Sequence, residues 1–176
     1  MKHRKSGELY AAKIFQKDMP AANKELVYKE IKIVKQLPKH ENILKMYEIF
    51  EEENELIFIM ELMEGGDIYQ LIKKRPDLTE KDACYFFNQI LRAVHFLHCN
   101  GVVHRDIKPE NLLLTDKSGF PLVKLADFSL AEVYLDKKLT LQCGTPGFIA
   151  PEIFNENVPY DETVDIFSLG ITLFML

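Results

Sequence analysis

Cysteine is scarce and scattered in this sequence. Cys84, Cys99 and Cys143 form no C-x-x-C pair and are too few for a disulfide scaffold, which points to reduced thiols and an intracellular, cytoplasmic protein. Long apolar runs are missing too. The longest, Ile166 to Leu176, is interrupted by Ser168, Gly170 and Thr172 and falls well short of the ~18 residues that suggest a membrane span. No secretory signal opens the chain, because its first residues are charged and no apolar run follows them. Internal repeats, low-complexity tracts, EF-hand loops and calmodulin-type basic helices are likewise missing. Positive charge is in deficit: 22 Lys and Arg against 27 Asp and Glu leave a net charge of −5. That argues against nucleic acid as the partner and suits a basic peptide better.

What is present suffices for a folded core: 47% of the 176 residues are hydrophobic and 28% are charged. The most informative stretch is His104-Arg105-Asp106-Ile107-Lys108-Pro109-Glu110-Asn111. Asp106 is a short acid able to accept the proton of an attacking hydroxyl. Lys108, two residues on, can neutralise a transferring phosphoryl group. Asn111 offers a hard carbonyl oxygen suited to magnesium. Asp127-Phe128-Ser129 follows, then Cys143-Gly144-Thr145-Pro146 and Ala150-Pro151-Glu152. These four motifs, in this order, resemble the catalytic loop, the D-F-G magnesium motif and the end of the activation segment of protein kinases. Lys108 and Gly144-Thr145-Pro146 favour the serine/threonine branch over tyrosine kinases. Val102 to Leu114, with Gly144 to Phe148, most resembles the calcium/calmodulin-dependent and calcium-dependent group.

Upstream, Glu8 to Phe15 alternates as a strand with Leu9, Ala11, Lys13 and Phe15 on one side. A lysine on that face is either a snorkelling surface side chain or the counterpart of the family's V-A-I-K lysine, which holds the α and β phosphates. The resemblance favours the second. A helix is expected from about Lys24 to Leu37, with Leu26, Ile31, Val34 and Leu37 near one stripe and Pro38 as its stop. Glu30, with Glu25 as rival, matches the helix glutamate that pairs with the strand lysine. Ile43–Phe50 and Leu56–Met60 read as strands around the acidic turn 51–54. Met60-Glu61-Leu62-Met63 resembles the hinge between lobes, which implies backbone hydrogen bonds from Glu61 and Met63 to adenine and Met60 guarding the rear pocket. Asp67 is a plausible N-cap, and by resemblance a partner for ribose or a substrate arginine. Thr79 to Asp82 reads as a capping box opening a core helix to about Cys99 that carries Ala83, Phe86, Phe87, Ile90, Leu91, Val94 and Leu97. His95, His98 and Cys99 at its end lack the paired spacing of a zinc site. Leu112–Leu114 and Val123–Leu125 read as partner strands, with Leu113 matching the floor beneath adenine. Val164 to Leu176, apolar nearly all round, reads as a buried helix resembling the family's helix F, with Asp165 placed to receive backbone hydrogen bonds from the catalytic loop. Thr145 matches the structural threonine that contacts Asp106 and Lys108.

Three departures from the family pattern stand out. No G-x-G-x-x-G occurs, and the sequence stops within the helix F match, so the chain reads as a fragment lacking the glycine-rich loop and the later large-lobe helices, including the arginine that Glu152 would pair with. Ser129 stands where D-F-G has glycine, which narrows the backbone freedom of the segment and should impair flipping of Phe128. Leu141 occupies the customary phosphothreonine position and Glu132 a position that is often basic, which suggests activity independent of phosphate on the neighbouring Thr140.

The expected fold is therefore α+β, the two-lobed protein kinase-like fold incomplete at both ends: a partial N-lobe over 1–60, a hinge at 61–64 and a partial C-lobe over 65–176. The implied activity is transfer of the γ-phosphoryl of ATP, with Mg2+, to serine or threonine hydroxyls of proteins. Asp106 and Lys108 serve the chemistry, Lys13 paired with Glu30 positions phosphates, and Asn111 and Asp127 hold the metal. Met60, Glu61, Met63, Asp67, Glu110 and Leu113 complete the nucleotide environment. Glu110 and Asp67 match acidic positions that read arginines in basophilic relatives. Any calcium-linked regulator would act outside this stretch. The alternative is a non-catalytic truncated or pseudokinase-like binding module.

Overall fold

The protein, seen in a computed structural model, is described over residues 1–135, 138–155 and 158–176. Its first strand is β1 (Tyr10–Gln16), and helix α1 (Ala21–Gln36) follows it. Strands β2 (Met46–Glu51) and β3 (Glu55–Glu61) form a hairpin around the acidic turn, giving an antiparallel sheet of order β1-β3-β2. The register sets Lys13 opposite Phe58 and Ala11 opposite Met60. Helix α1 begins three residues earlier than expected, at the residue after Pro20, whose fixed φ suits a helix entrance. It ends where Leu37 turns extended, because the residue before Pro38 is pushed out of the α region. Its buried stripe is Val27, Glu30 and Ile33, one position off the expected stripe at Leu26 and Ile31. The helix turns to bury a glutamate because that glutamate has a cation to meet.

The larger part begins with β4 (Gly66–Asp67) and α2 (Ile68–Lys74), which Asp67 caps by accepting from Gln70 N at 2.8 Å. Helix α3 (Glu80–Cys99) opens with the expected capping box, Thr79 and Asp82 each bonding the other's backbone N–H. It ends at Asn100 and Gly101, the glycine at φ 70°. Its buried face is Phe86, Gln89, Ile90, Ala93, Val94 and Leu97. Leu91, expected in the core, is 44% exposed. Gln89 takes an interior place instead because its polar atoms are used: Oε1 accepts from Val123 N at 2.9 Å and from Asn42 Nδ2 at 3.2 Å.

Short strands β5 (Val102–Val103), β6 (Leu112–Leu114), β7 (Val123–Leu125) and β8 (Glu132–Val133) make the antiparallel pair β5-β8 and the sheet β4-β6-β7. Helix α4 (Thr163–Met175) comes last. The main core gathers Ile90, Leu97, Ile107, Leu112, Leu125 and Phe128 with Ile33 and Leu169, so α1 and α4 share it with α3. The small sheet packs Leu56 and Phe58 on Val27. Residues 42–44 stitch the two parts together: Leu44 N donates to Leu125 O, and Leu125 N to Asn42 O, at 2.9 and 2.8 Å. Helix α4 is not buried all round. Val164, Asp165, Ser168, Leu169 and Thr172 are covered, while Ile166, Leu173 and Phe174 are exposed, Phe174 by 91%. Among the described residues no helix is long and apolar enough to cross a membrane.

Candidate active site

Lys13 projects from β1 toward α1, and its ammonium donates to both carboxylate oxygens of Glu30, at 2.9 and 3.1 Å. It also donates to Asp127 Oδ1 at 3.2 Å. Glu30 is 6% exposed, and its rival Glu25 lies in solvent. Burial pushes the Glu30 carboxyl above its ordinary range against the opposing pull of Lys13. At Asp127 burial also pushes upward, but the charge and hydrogen bond of Lys13, with a hydrogen bond from Ser129, hold the carboxyl below its usual range. Lys13 thus stands between two acids, one on α1 and one at the end of β7. A cation so placed is free to exchange one carboxylate for a ligand oxygen without losing its anchor.

Asp127 has φ 60°, and Phe128 behind it is buried with its ring 5.1 Å from His104, edge on. Ser129 follows with a side chain that narrows the backbone where glycine would have freed it. Ser129→Gly adds backbone freedom worth about 0.5–1 kcal/mol. Faster amide exchange over 127–130 in the variant is the expected result, and unchanged exchange would refute it.

The catalytic-loop stretch is held from several sides. Asp106 is 7% exposed, and its Oδ2 lies 2.8 Å from Lys108 Nζ and accepts from Asn111 Nδ2 at 3.0 Å. Its Oδ1 accepts from Thr145 Oγ1 at 2.5 Å, and Thr145 accepts from Lys108 at 2.6 Å. Gly144, at φ 125°, brings Thr145 in; a Cβ there would lie 3.1 Å from the Arg105 carbonyl. Because the amide nitrogen of Asn111 is committed to Asp106, through both its carboxylate and its carbonyl, the side-chain oxygen is the atom left that could ligate a metal. Ala126 N donates to Asn111 O at 2.9 Å, which fixes Asn111 beside the residue before Asp127.

His104 is fully buried, and its tautomer follows from its neighbours. Nδ1 faces the Asp106 N–H at 3.3 Å and can only accept; Nε2 faces the Ala126 carbonyl at 3.1 Å and can only donate. A second ring proton would point at an N–H. Burial accordingly pushes the imidazole below its ordinary pKa of 6.5, outweighing the attraction of Asp165. The unfolded chain takes up this proton as pH falls below about 6.5 and the folded one does not, so stability is present above that pH and is lost as pH drops. The loss is about 1.4 kcal/mol per pH unit until the folded histidine itself titrates. Thermal midpoints at pH 7 and 5.5 should separate less in His104→Leu than in the native chain; parallel slopes would remove the assignment.

Asp165, at the start of α4, accepts from His104 N and Arg105 N, both at 2.8 Å. It also meets His98 Nε2 at 2.9 Å, a role for that histidine that its local sequence did not disclose. Cys99 lies instead against His95, with Sγ 3.6 Å from Nε2. Of the residues expected at a hinge, Met60 is half-buried against the small-sheet cluster. The Glu61 N–H is taken by Lys45 O, and its side chain pairs with Lys124 at 3.1 Å. Met63 is half-buried, just before the point where Glu64 N and Gly65 N dock on Thr115 O and Leu114 O. Gly65 is required there, since a Cβ would fall 2.3 Å from the Asp116 carbonyl. Leu113 is half-buried in β6 opposite Asp67, and Glu110 is exposed.

This arrangement can be compared with known proteins. A family model described as "Protein kinase domain" matches residues 1–176. The chain is 37% identical over 170 residues to a calcium/calmodulin-dependent protein kinase type 1 of Caenorhabditis briggsae, covering 97% of this chain and 47% of that protein. A probable myosin light chain kinase of Dictyostelium discoideum is 38% identical over 177 residues, 99% of this chain and 45% of the relative. Human NUAK family SNF1-like kinase 1 is 40% identical over 174 residues, 97% of this chain and 26% of the relative. The chain spans about half the length of the first two.

Proposed function

Because the chain belongs to the protein kinase domain family, we propose that it serves a protein serine/threonine kinase that transfers the γ-phosphoryl of MgATP to protein hydroxyls. The observation that carries this is the convergence of Lys13, Glu30 and Asp127 on one side and Asp106, Lys108, Asn111 and Thr145 on the other. In this reading Asp106 orients the incoming hydroxyl and takes its proton, its carboxylate plane fixed by Lys108, Asn111 and Thr145. Lys108 faces the charge that spreads over the transferring group. Lys13, steadied by Glu30, holds phosphate oxygens. The Asn111 carbonyl oxygen and the ionised Asp127 fit the hard-oxygen ligand set of magnesium, which when bound neutralises phosphate charge. Residues 61–64 act as the hinge between a small lobe (1–60) and a large one (65–176). The Glu61 carbonyl and Met63 backbone face adenine, Leu113 lies beneath it and Met60 stands at the rear. Glu110, exposed beside the catalytic loop, favours substrates with arginine near the phosphosite. Asp67 keeps acceptor capacity beyond its two bonds to Gln70 for the same purpose or for ribose.

The test is a phosphotransfer assay on the complete protein with a degenerate serine/threonine peptide library. Transfer that depends on magnesium and is enriched for arginine is the expected result. Nucleotide binding without transfer would leave the binding-module reading, and indifference to arginine would remove the basic preference.

A further inference from the structure

The carboxylate of Glu132 joins parts of the site that lie far apart in the chain. Its Oε2 accepts from Lys29 Nζ at 3.2 Å and lies 3.8 Å from Arg105 Nη2. Lys29 immediately precedes Glu30 on α1, and Arg105 immediately precedes Asp106 in the catalytic loop. The Arg105 side chain is 1% exposed. Its Nε donates to Leu130 O at 2.8 Å and its Nη1 to Tyr160 Oη at 2.9 Å. Among the described residues Nη2 makes no hydrogen bond, and Glu132 meets it through charge. Tyr160 in turn donates to Leu141 O at 2.5 Å, and its N–H donates to Leu139 O. One buried guanidinium is thereby matched to α1 through Glu132 and to residues 139–141 through Tyr160.

We propose that Glu132 is a positioning residue: its carboxylate clamps α1 to the catalytic loop and so keeps Glu30 against Lys13, with no added phosphate required. Consecutive helical residues differ by about 100° around the axis. Holding Lys29 therefore sets the rotation of α1, and a turn that broke Lys29 from Glu132 would carry Glu30 off Lys13. An anion already in contact with both Lys29 and Arg105 supplies the negative charge that these two cations would otherwise take from a phosphate. This inference rests on the kinase reading for its functional consequence and on α1 alone for its structural one.

Glu132→Gln in the complete protein keeps the shape and removes the charge. The KM for MgATP should rise about tenfold, the size of a typical coupling between groups in contact, with the peptide KM unchanged. Lys29→Met, on a partly exposed side chain that tolerates substitution, should give the same shift, and the double variant no more than either. Amide exchange across Val27–Gln36 in the nucleotide-free protein should accelerate in both, a readout that needs no catalysis. ATP KM and exchange unchanged in both variants would overturn the proposal, as would additive losses or activity that appears only once Thr140 is phosphorylated. A native protein that transfers no phosphoryl group would defeat the kinase reading, while exchange on α1 would still decide the clamp.

Discussion

Asp106→Asn in the complete protein is expected to lower kcat by about 10²–10⁴-fold, the usual worth of a general base, with little change in MgATP affinity. The substitution preserves volume and leaves an oxygen for the Thr145 hydroxyl, while its NH₂ faces the donors of Lys108 and Asn111 that the carboxylate had accepted. What disappears is the proton acceptor and the negative partner of Lys108, 2.8 Å away. The nucleotide contacts proposed for Lys13 and Asp127 belong to other elements, and Asn111 keeps its bond to the Asp106 carbonyl, which is why binding and turnover should separate. Steady-state transfer to a serine peptide, alongside a nucleotide titration of the same sample, measures both. A variant that turns over at the native rate would show that Asp106 does no proton chemistry. One that loses nucleotide affinity in parallel would show that its role is structural.

The parts of this site that could be read from the chain are those whose chemistry is contiguous. Asp106, Lys108 and Asn111 fall within six residues, and the spacing alone places them on one loop. Lys13 drew notice as a cation on an apolar strand face, but its pairing with Glu30, with Glu25 as rival, came from the resemblance to the family pattern. The structure resolves the second point by shifting the stripe onto Val27, Glu30 and Ile33. Lys29, Glu132, Arg105 and Tyr160 were illegible as a group for the opposite reason. Lys29 and Tyr160 look ordinary where they stand, and Glu132 stood out only as an acid at a position that is often basic, with no partner in view. His98 read as one of three loose helix-end side chains until α4 brought Asp165 to it. Backbone strain was hidden as well: Arg105 and Asp127 adopt φ of 66° and 60°, a region L-residues avoid, and nothing in their side chains announces it. Such strain costs on the order of 1–3 kcal/mol per residue and persists only when neighbours enforce it. Helix α4 misled for a simpler reason. Its apolar residues surround it, but burial depends on what packs there, and the described residues cover one face only.

The enforcement at Arg105 comes from Asp165, and removing it should be the costliest single change to the fold of the site. Asp165 is fully buried, and its two oxygens receive the backbone N–H groups of His104 and Arg105 and the ring of His98. Asp165→Ala strands two buried amides at about 1–3 kcal/mol each, a large share of the ~5–15 kcal/mol that holds a typical domain together. The thermal midpoint should fall on the order of 10 °C. Asparagine should rescue little of this, although it is nearly the same shape. Its NH₂ would face one of the two backbone N–H donors, so one oxygen would serve where two are needed. His98→Phe should be the milder change, since it removes one acceptor's partner from a ring that is 15% exposed and leaves both backbone bonds intact. Turnover measured well below the new midpoint should drop with Asp165→Asn as well, because the φ of Arg105 sets where the next residue, Asp106, points. Thermal scans and kcat for the three variants give the order Ala, Asn, then Phe in severity. An asparagine variant with the native midpoint would mean that a single acceptor oxygen suffices and that the loop carries its own strain.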